Sequence, residues 1–148
     1  MTGSGSPTAP PPTPPPTPPS RRAVGQVLIA VYAVFAVSAG ARAAVQIATR
    51  LDEAPVAYLL SAFAAAVYLV ATVAFRLPGR AAFLVALVAC SIELAGVLTV
   101  GTATVLEPDL FADATVWTAY GRGYGFVPLV LPVLGLAWLR HVATRRTT

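Results

Sequence analysis

The stretch from Pro55 to Phe75, PVAYLLSAFAAAVYLVATVAF, contains no charged residue, and its reading decides the fold. At 1.5 Å per helical residue, about 20 such residues cross a hydrocarbon core roughly 30 Å thick, so the length matches a membrane rather than a soluble core. Three further apolar runs accompany it, approximately Ala23 to Ile47, Ala81 to Leu106 and Tyr124 to Leu139. The chain therefore reads as all-α, a bundle of four transmembrane helices.

Composition agrees. Of the 148 residues 57% are hydrophobic and 11% charged, with a mean hydropathy of +0.74, well above what a soluble domain shows. All ten basic side chains are arginine and alanine fills the apolar runs, as high-GC coding sequences produce, which points to a bacterial source. The net charge of +4 gathers in the segments flanking the spans. That placement suits a lipid bilayer with anionic headgroups and speaks against nucleic acid. A single cysteine, Cys90, allows no internal disulfide and no cysteine-based metal cluster.

Outside the spans, residues 1–20 carry SPTAPPPTPPPTPPS. The tract lacks apolar content for a core, and its prolines favour polyproline II, so a disordered, semi-stiff arm is expected. It reads as a spacer, or as a ligand for a proline-recognising or envelope partner. The four-helix domain then covers residues 21–141, and residues 142–148 form a basic tail. Arg21 and Arg22 before the first run, with SAGARA after it, also suit a cleaved signal peptide. The run continues past Arg42 to spanning length and three spans follow, so a retained helix is expected.

Orientation follows from the arginines. With the N-terminus inside, the cytoplasmic side holds Arg21, Arg22, Arg76, Arg80, Arg140, Arg145 and Arg146, and the outer side only Arg50 and Arg122. The positive-inside rule then predicts an N-in/C-in protein of the bacterial plasma membrane. Trp117, Tyr120, Tyr124 and Tyr58 fall at the outer boundary and Trp138 at the inner one, as an aromatic belt requires.

Among intramembrane polar residues Glu93 stands out, near the midpoint of the third span, where an ionised carboxylate is costly and faces protein or water. Arg42 lies about seven residues, or roughly 10 Å, outward of the first span's midpoint. Its guanidinium can reach inward to Glu93 or extend outward to the headgroups. Three readings of Glu93 stay open: a proton- or cation-binding carboxylate, a structural partner of Arg42, or a protonated acid bonded to Ser91, Gln46 or another helix. Cys90, three residues before Glu93, shares its face and reads as small packing volume.

The fourth run opens on GRGYGFVPLVLPVLGLAWLR. Gly123, Tyr124 and Gly125 read as a flexible entrance. Pro128 suits a first helical turn, and Pro132 removes a backbone hydrogen bond and predicts a bend. The GYG triplet lacks the Thr-Val of a potassium filter and has Arg122 beside it. Glu107, Asp109 and Asp113 read as a solvated acidic loop, since their spacing lacks the alternation of a calcium site. No nucleophile-base pair, HExxH, Walker or dinucleotide motif is present, so neither an enzyme nor a cofactor is expected.

The segments ELAGVLTVG, FADATVW and YGRGYGFVPLVLPVLGLAWLR together resemble the C-terminal half of a family of small four-helix integral membrane proteins of actinobacteria with no assigned activity. The likeness covers roughly Ala81 to Arg140 and implies fold and location only. Small multidrug transporters place their essential acid in the first helix, where this chain has none. Fluoride channels share an arginine after Gly-Ala, here Gly40, Ala41 and Arg42, but their third-helix polar track is missing. A four-helix thiol enzyme would need a cysteine pair. What remains is a non-enzymatic accessory or packing subunit with a membrane-protein partner or a second copy, or a small ion-coupled transporter centred on Glu93 and Arg42.

Overall fold

A computed structural model describes residues 12–16 and 21–145. Most of the proline arm, and residues 146–148 of the tail, lie outside the described residues. Those at 12–16 are exposed and carry no regular secondary structure.

The elements are α1 (Arg21–Arg50), α2 (Pro55–Arg76), α3 (Arg80–Leu106), a 3₁₀ segment (Thr118–Tyr124) and α4 (Val127–Thr144). All four α-helices are long and apolar enough to cross a membrane, so the chain is an all-α, multi-pass membrane protein. They run up, down, up, down. α1 packs on α2, α2 on α3 and α3 on α4, while α4 touches α1 only lightly, leaving α1 and α3 on one diagonal.

Spacing along each helix explains which face turns inward. On α2 the buried positions Ala57, Ser61, Ala64, Tyr68 and Ala71 alternate steps of four and three, the pattern of a left-handed helix seam. Small residues along it let backbones approach closely, which is what drives association where lipid is as apolar as protein. The buried residues of α1 include Leu28, Tyr32, Ala39, Ala43 and Gln46, and those of α3 include Ala86, Cys90, Glu93, Val97 and Thr104. Glu93 is thus on its helix seam. Arg42 is not.

The helices differ in length. α3 has 27 residues and α4 only 18, about 40 Å against about 27 Å. The column above α4, at the end holding Asp113, is completed by the connection between α3 and α4. Sequence reading treats that connection as a solvated loop with Trp117 in an interfacial belt. Its second half instead folds into the bundle, burying Thr115, Val116 and Trp117. Val116 N donates to Ser61 Oγ at 3.3 Å, and Ala119 N to Thr104 Oγ1 at 2.9 Å. Tyr120 lies on Gly101 and its hydroxyl meets Thr102 Oγ1 at 2.9 Å.

The fourth run begins at Tyr124 with Gly123, Tyr124 and Gly125 read as its entrance, and it becomes α-helical at Val127. Ala119 (φ 46°), Tyr120 (φ 60°) and Gly121 (φ 79°) form a left-handed stretch. For the two non-glycine residues this costs about 1 kcal/mol or more each, and the bonds to α3 hold them there. A Cβ on Gly121 would stand 2.6 Å from Pro128 Cγ, so both conformation and space require glycine. Pro128 falls in the first turn of α4, where a missing N–H is harmless. Pro132 is buried inside α4, which continues through it to Thr144.

Candidate functional site

At the centre of the bundle Glu93 is completely buried. Tyr32 reaches across the diagonal from α1, and its hydroxyl donates to Glu93 Oε2 at 2.8 Å. The same hydroxyl lies 3.3 Å from Cys90 Sγ, one turn down α3. From α2 the Tyr68 hydroxyl faces both the Glu93 carboxyl and the Trp117 indole. Glu93 Oε1, Tyr68 Oη and Trp117 Nε1 are all buried without a hydrogen-bond partner among the described residues.

The cluster is tightly packed on both sides. Toward the Asp113 end the Trp117 indole rests on Gly96, where a Cβ would lie 2.6 Å from the ring; Phe63 meets the indole edge-on at 6.2 Å between centroids. Toward the opposite end α4 brings Gly135 against α3 and α1. A Cβ there would lie 2.9 Å from Cys90 Sγ and 3.2 Å from the Tyr32 hydroxyl. Tyr32 also packs on Phe75 at 5.4 Å. Cys90 therefore packs where Gly135 lets α4 come close to α3.

The polar residues picked out from sequence do not assemble around Glu93. Arg42 is exposed, and its Nη1 donates to Tyr124 Oη at 2.8 Å, which removes the proposed pairing with Glu93. Its position explains this: Ala39, Ala43 and Gln46 take the inward seam, and Arg42 sits one residue, or about 100°, around the helix from Ala43. Gln46 Nε2 donates instead to Asp113 Oδ2 at 3.4 Å. Ser91 is exposed and its hydroxyl returns to Leu87 O at 2.7 Å. Neither touches the carboxyl, and among the described residues Glu93 has no ion-pair partner.

Of the expected entrance residues, Gly123 and Gly125 are exposed and Tyr124 is half-buried, while Pro128 and Pro132 are buried. Gly123 and Tyr124 end the 3₁₀ segment and Gly125 follows it, whereas Pro128 lies in the first turn of α4 and Pro132 inside that helix. Tyr32, Tyr68 and Trp117 are the site residues that sequence reading passed over. Two of them had a visible signal, since Tyr32 and Tyr68 occupy inward seam positions near their helix midpoints.

With Arg42 on Tyr124, Arg42→Ala and Glu93→Ala are expected to act independently on stability in detergent, the double variant adding within about 0.5 kcal/mol. A double-mutant cycle measures this. A coupling well above that value would restore the pairing.

Compared with protein-family models, curated proteins and solved structures, the chain shows no significant match.

Proposed function

We propose that this chain is a non-enzymatic accessory or packing subunit of a bacterial plasma-membrane complex, with both termini cytoplasmic. The observation that carries the reading is the close packing around Glu93, with Trp117 against Gly96 on one side and Gly135 against Cys90 and Tyr32 on the other. A transport path needs a hydrated route to its ionisable group, and these contacts fill the space on both sides of the carboxyl with protein.

A second reading, a proton- or ion-coupled transporter centred on Glu93, draws on the unpartnered Glu93 Oε1 and Tyr68 Oη. Arg42 has no part in it, because its guanidinium engages Tyr124. Purified protein in liposomes carrying an imposed pH gradient separates the two readings. The accessory role predicts no protein-dependent proton flux, together with recovery of a stoichiometric membrane partner after crosslinking in native membranes. Flux that disappears in Glu93→Gln would replace it with the transporter.

The arginine distribution carries the orientation, since Arg76, Arg80 and Arg140 lie at one end of the bundle and Arg50 and Arg122 at the other. A reporter fused after Thr148 is expected to read cytoplasmic, and one inserted beside Asp113 to read external. The reverse pattern would invert the protein in the bilayer.

A further inference from the structure

At the C-terminal end of α1, Arg42, Gln46 and Arg50 recur every fourth residue and so line one face of the helix over about 12 Å. Together with Asp113 from the α3–α4 connection they border a cleft of about 630 Å³ whose apolar wall is Ala41 and Val45. Depth along the bilayer follows from Asp113. It accepts from Gln46 and, at 3.0 Å, from the Tyr58 hydroxyl, and Tyr58 lies in the first turn of α2, where the charge-free span begins. Gln46 is therefore at the membrane boundary, with Arg42 one turn deeper and Arg50 one turn further out. Two guanidinium groups bracket the depth at which lipid phosphates lie.

The remaining donors and acceptors narrow the ligand. Gln46 is only 4% exposed, and its Oε1 has no hydrogen-bond partner among the described residues. Nε2 donates to Asp113 Oδ2, and Oε1 is a buried acceptor behind the cleft surface. The cleft thus offers cationic donors at Arg42 and Arg50 and, between them, a carboxyl acceptor at Asp113. Glu53, 3.7 Å from Arg50, completes a balance of two positive and two negative charges. A purely anionic headgroup would add negative charge beside both carboxylates. A zwitterion with an N–H donor would answer each group.

We propose that this cleft binds a phospholipid headgroup of the phosphoethanolamine type, its phosphate held by Arg42 and Arg50 and its ammonium directed to the Asp113 carboxyl. Guanidinium donors form short charge-assisted bonds to phosphate oxygens. Val34 and Val37, 60% and 72% exposed, continue the Ala41–Val45 wall along α1 and provide a track for an acyl chain. The inference is independent of the role assigned to Glu93.

The distinguishing comparison is phosphatidylethanolamine against phosphatidylcholine, whose quaternary ammonium has the same charge and no N–H to donate. Full-length protein would be placed in nanodiscs of equal mole fractions of the two lipids and released for intact-complex mass spectrometry. Retention of phosphatidylethanolamine over phosphatidylcholine by about tenfold is expected, the equivalent of one charge-assisted hydrogen bond. The preference should vanish in Asp113→Leu, and retention of both lipids should fall in Arg42→Gln/Arg50→Gln. Equal retention by the unaltered protein would overturn the proposal without any variant having to fold. So would stronger retention of phosphatidylglycerol in a parallel mixture, which would make the cleft a simple anion site. Soluble glycerophosphoethanolamine displacing the lipid at equal concentration would reassign the site to a free phosphodiester.

Discussion

Trp117→Ala is expected to lower unfolding stability in detergent by about 3–5 kcal/mol, the range for truncating a buried aromatic. The indole is 2% exposed and lies against Gly96 and Phe63. Its removal opens a cavity directly above Glu93. In a membrane much of the cost comes from lost contact rather than from hydrophobic transfer, because lipid is as apolar as the core. The connection between α3 and α4 should loosen as well, since Val116 and Ala119 are anchored on either side of the ring. Gly96→Val should act similarly by driving the ring out of its slot. Equilibrium unfolding in a mixed-micelle denaturant series would measure both. A loss under about 1 kcal/mol for Trp117→Ala would mean that the segment does not seat in the bundle in solution.

The second large effect separates the shape of Glu93 from its charge. Glu93→Ala removes the acceptor for the Tyr32 hydroxyl and leaves a void among residues that are themselves fully buried. Together these cost about 3 kcal/mol. Glu93→Gln keeps the volume and a carbonyl oxygen for Tyr32, so a loss of about 1 kcal/mol or less is expected. The same unfolding series reads both variants. If Gln proves as damaging as Ala, the carboxyl group itself is required, and the case for proton or ion coupling at this position strengthens.

Within the candidate site the legible part is the part that periodicity controls. Cys90, Glu93 and Val97 follow the spacing of an inward seam, and so do Leu28, Tyr32 and Ala39 on α1. A carboxyl at the bundle centre, with Tyr32 on another seam near the same depth, is therefore written in the chain. Depth alone places Arg42 within reach of Glu93. Its angular position, off the seam occupied by Ala39, Ala43 and Gln46, sends it to Tyr124 instead. The Gln46 and Ser91 alternatives fail for related reasons: Gln46 is at the membrane boundary, and Ser91 is on an exposed face.

By itself, the sequence determined the number and approximate extent of the spans, because the absence of charge over a membrane thickness is a local property. It also placed Pro128 at a helix start. Tertiary structure decided what fills the space above the short α4. No local preference predicts that Ala119 and Tyr120 adopt left-handed conformations, since these are unfavourable alone and persist only where Thr102, Thr104 and Gly101 hold them. Nor does any pattern place Trp117 on Gly96, because a slot left by a missing side chain exists only once α2, α3 and the connection have met. Spans are fixed by transfer from water to lipid residue by residue, whereas the environment of Glu93 depends on packing between distant segments.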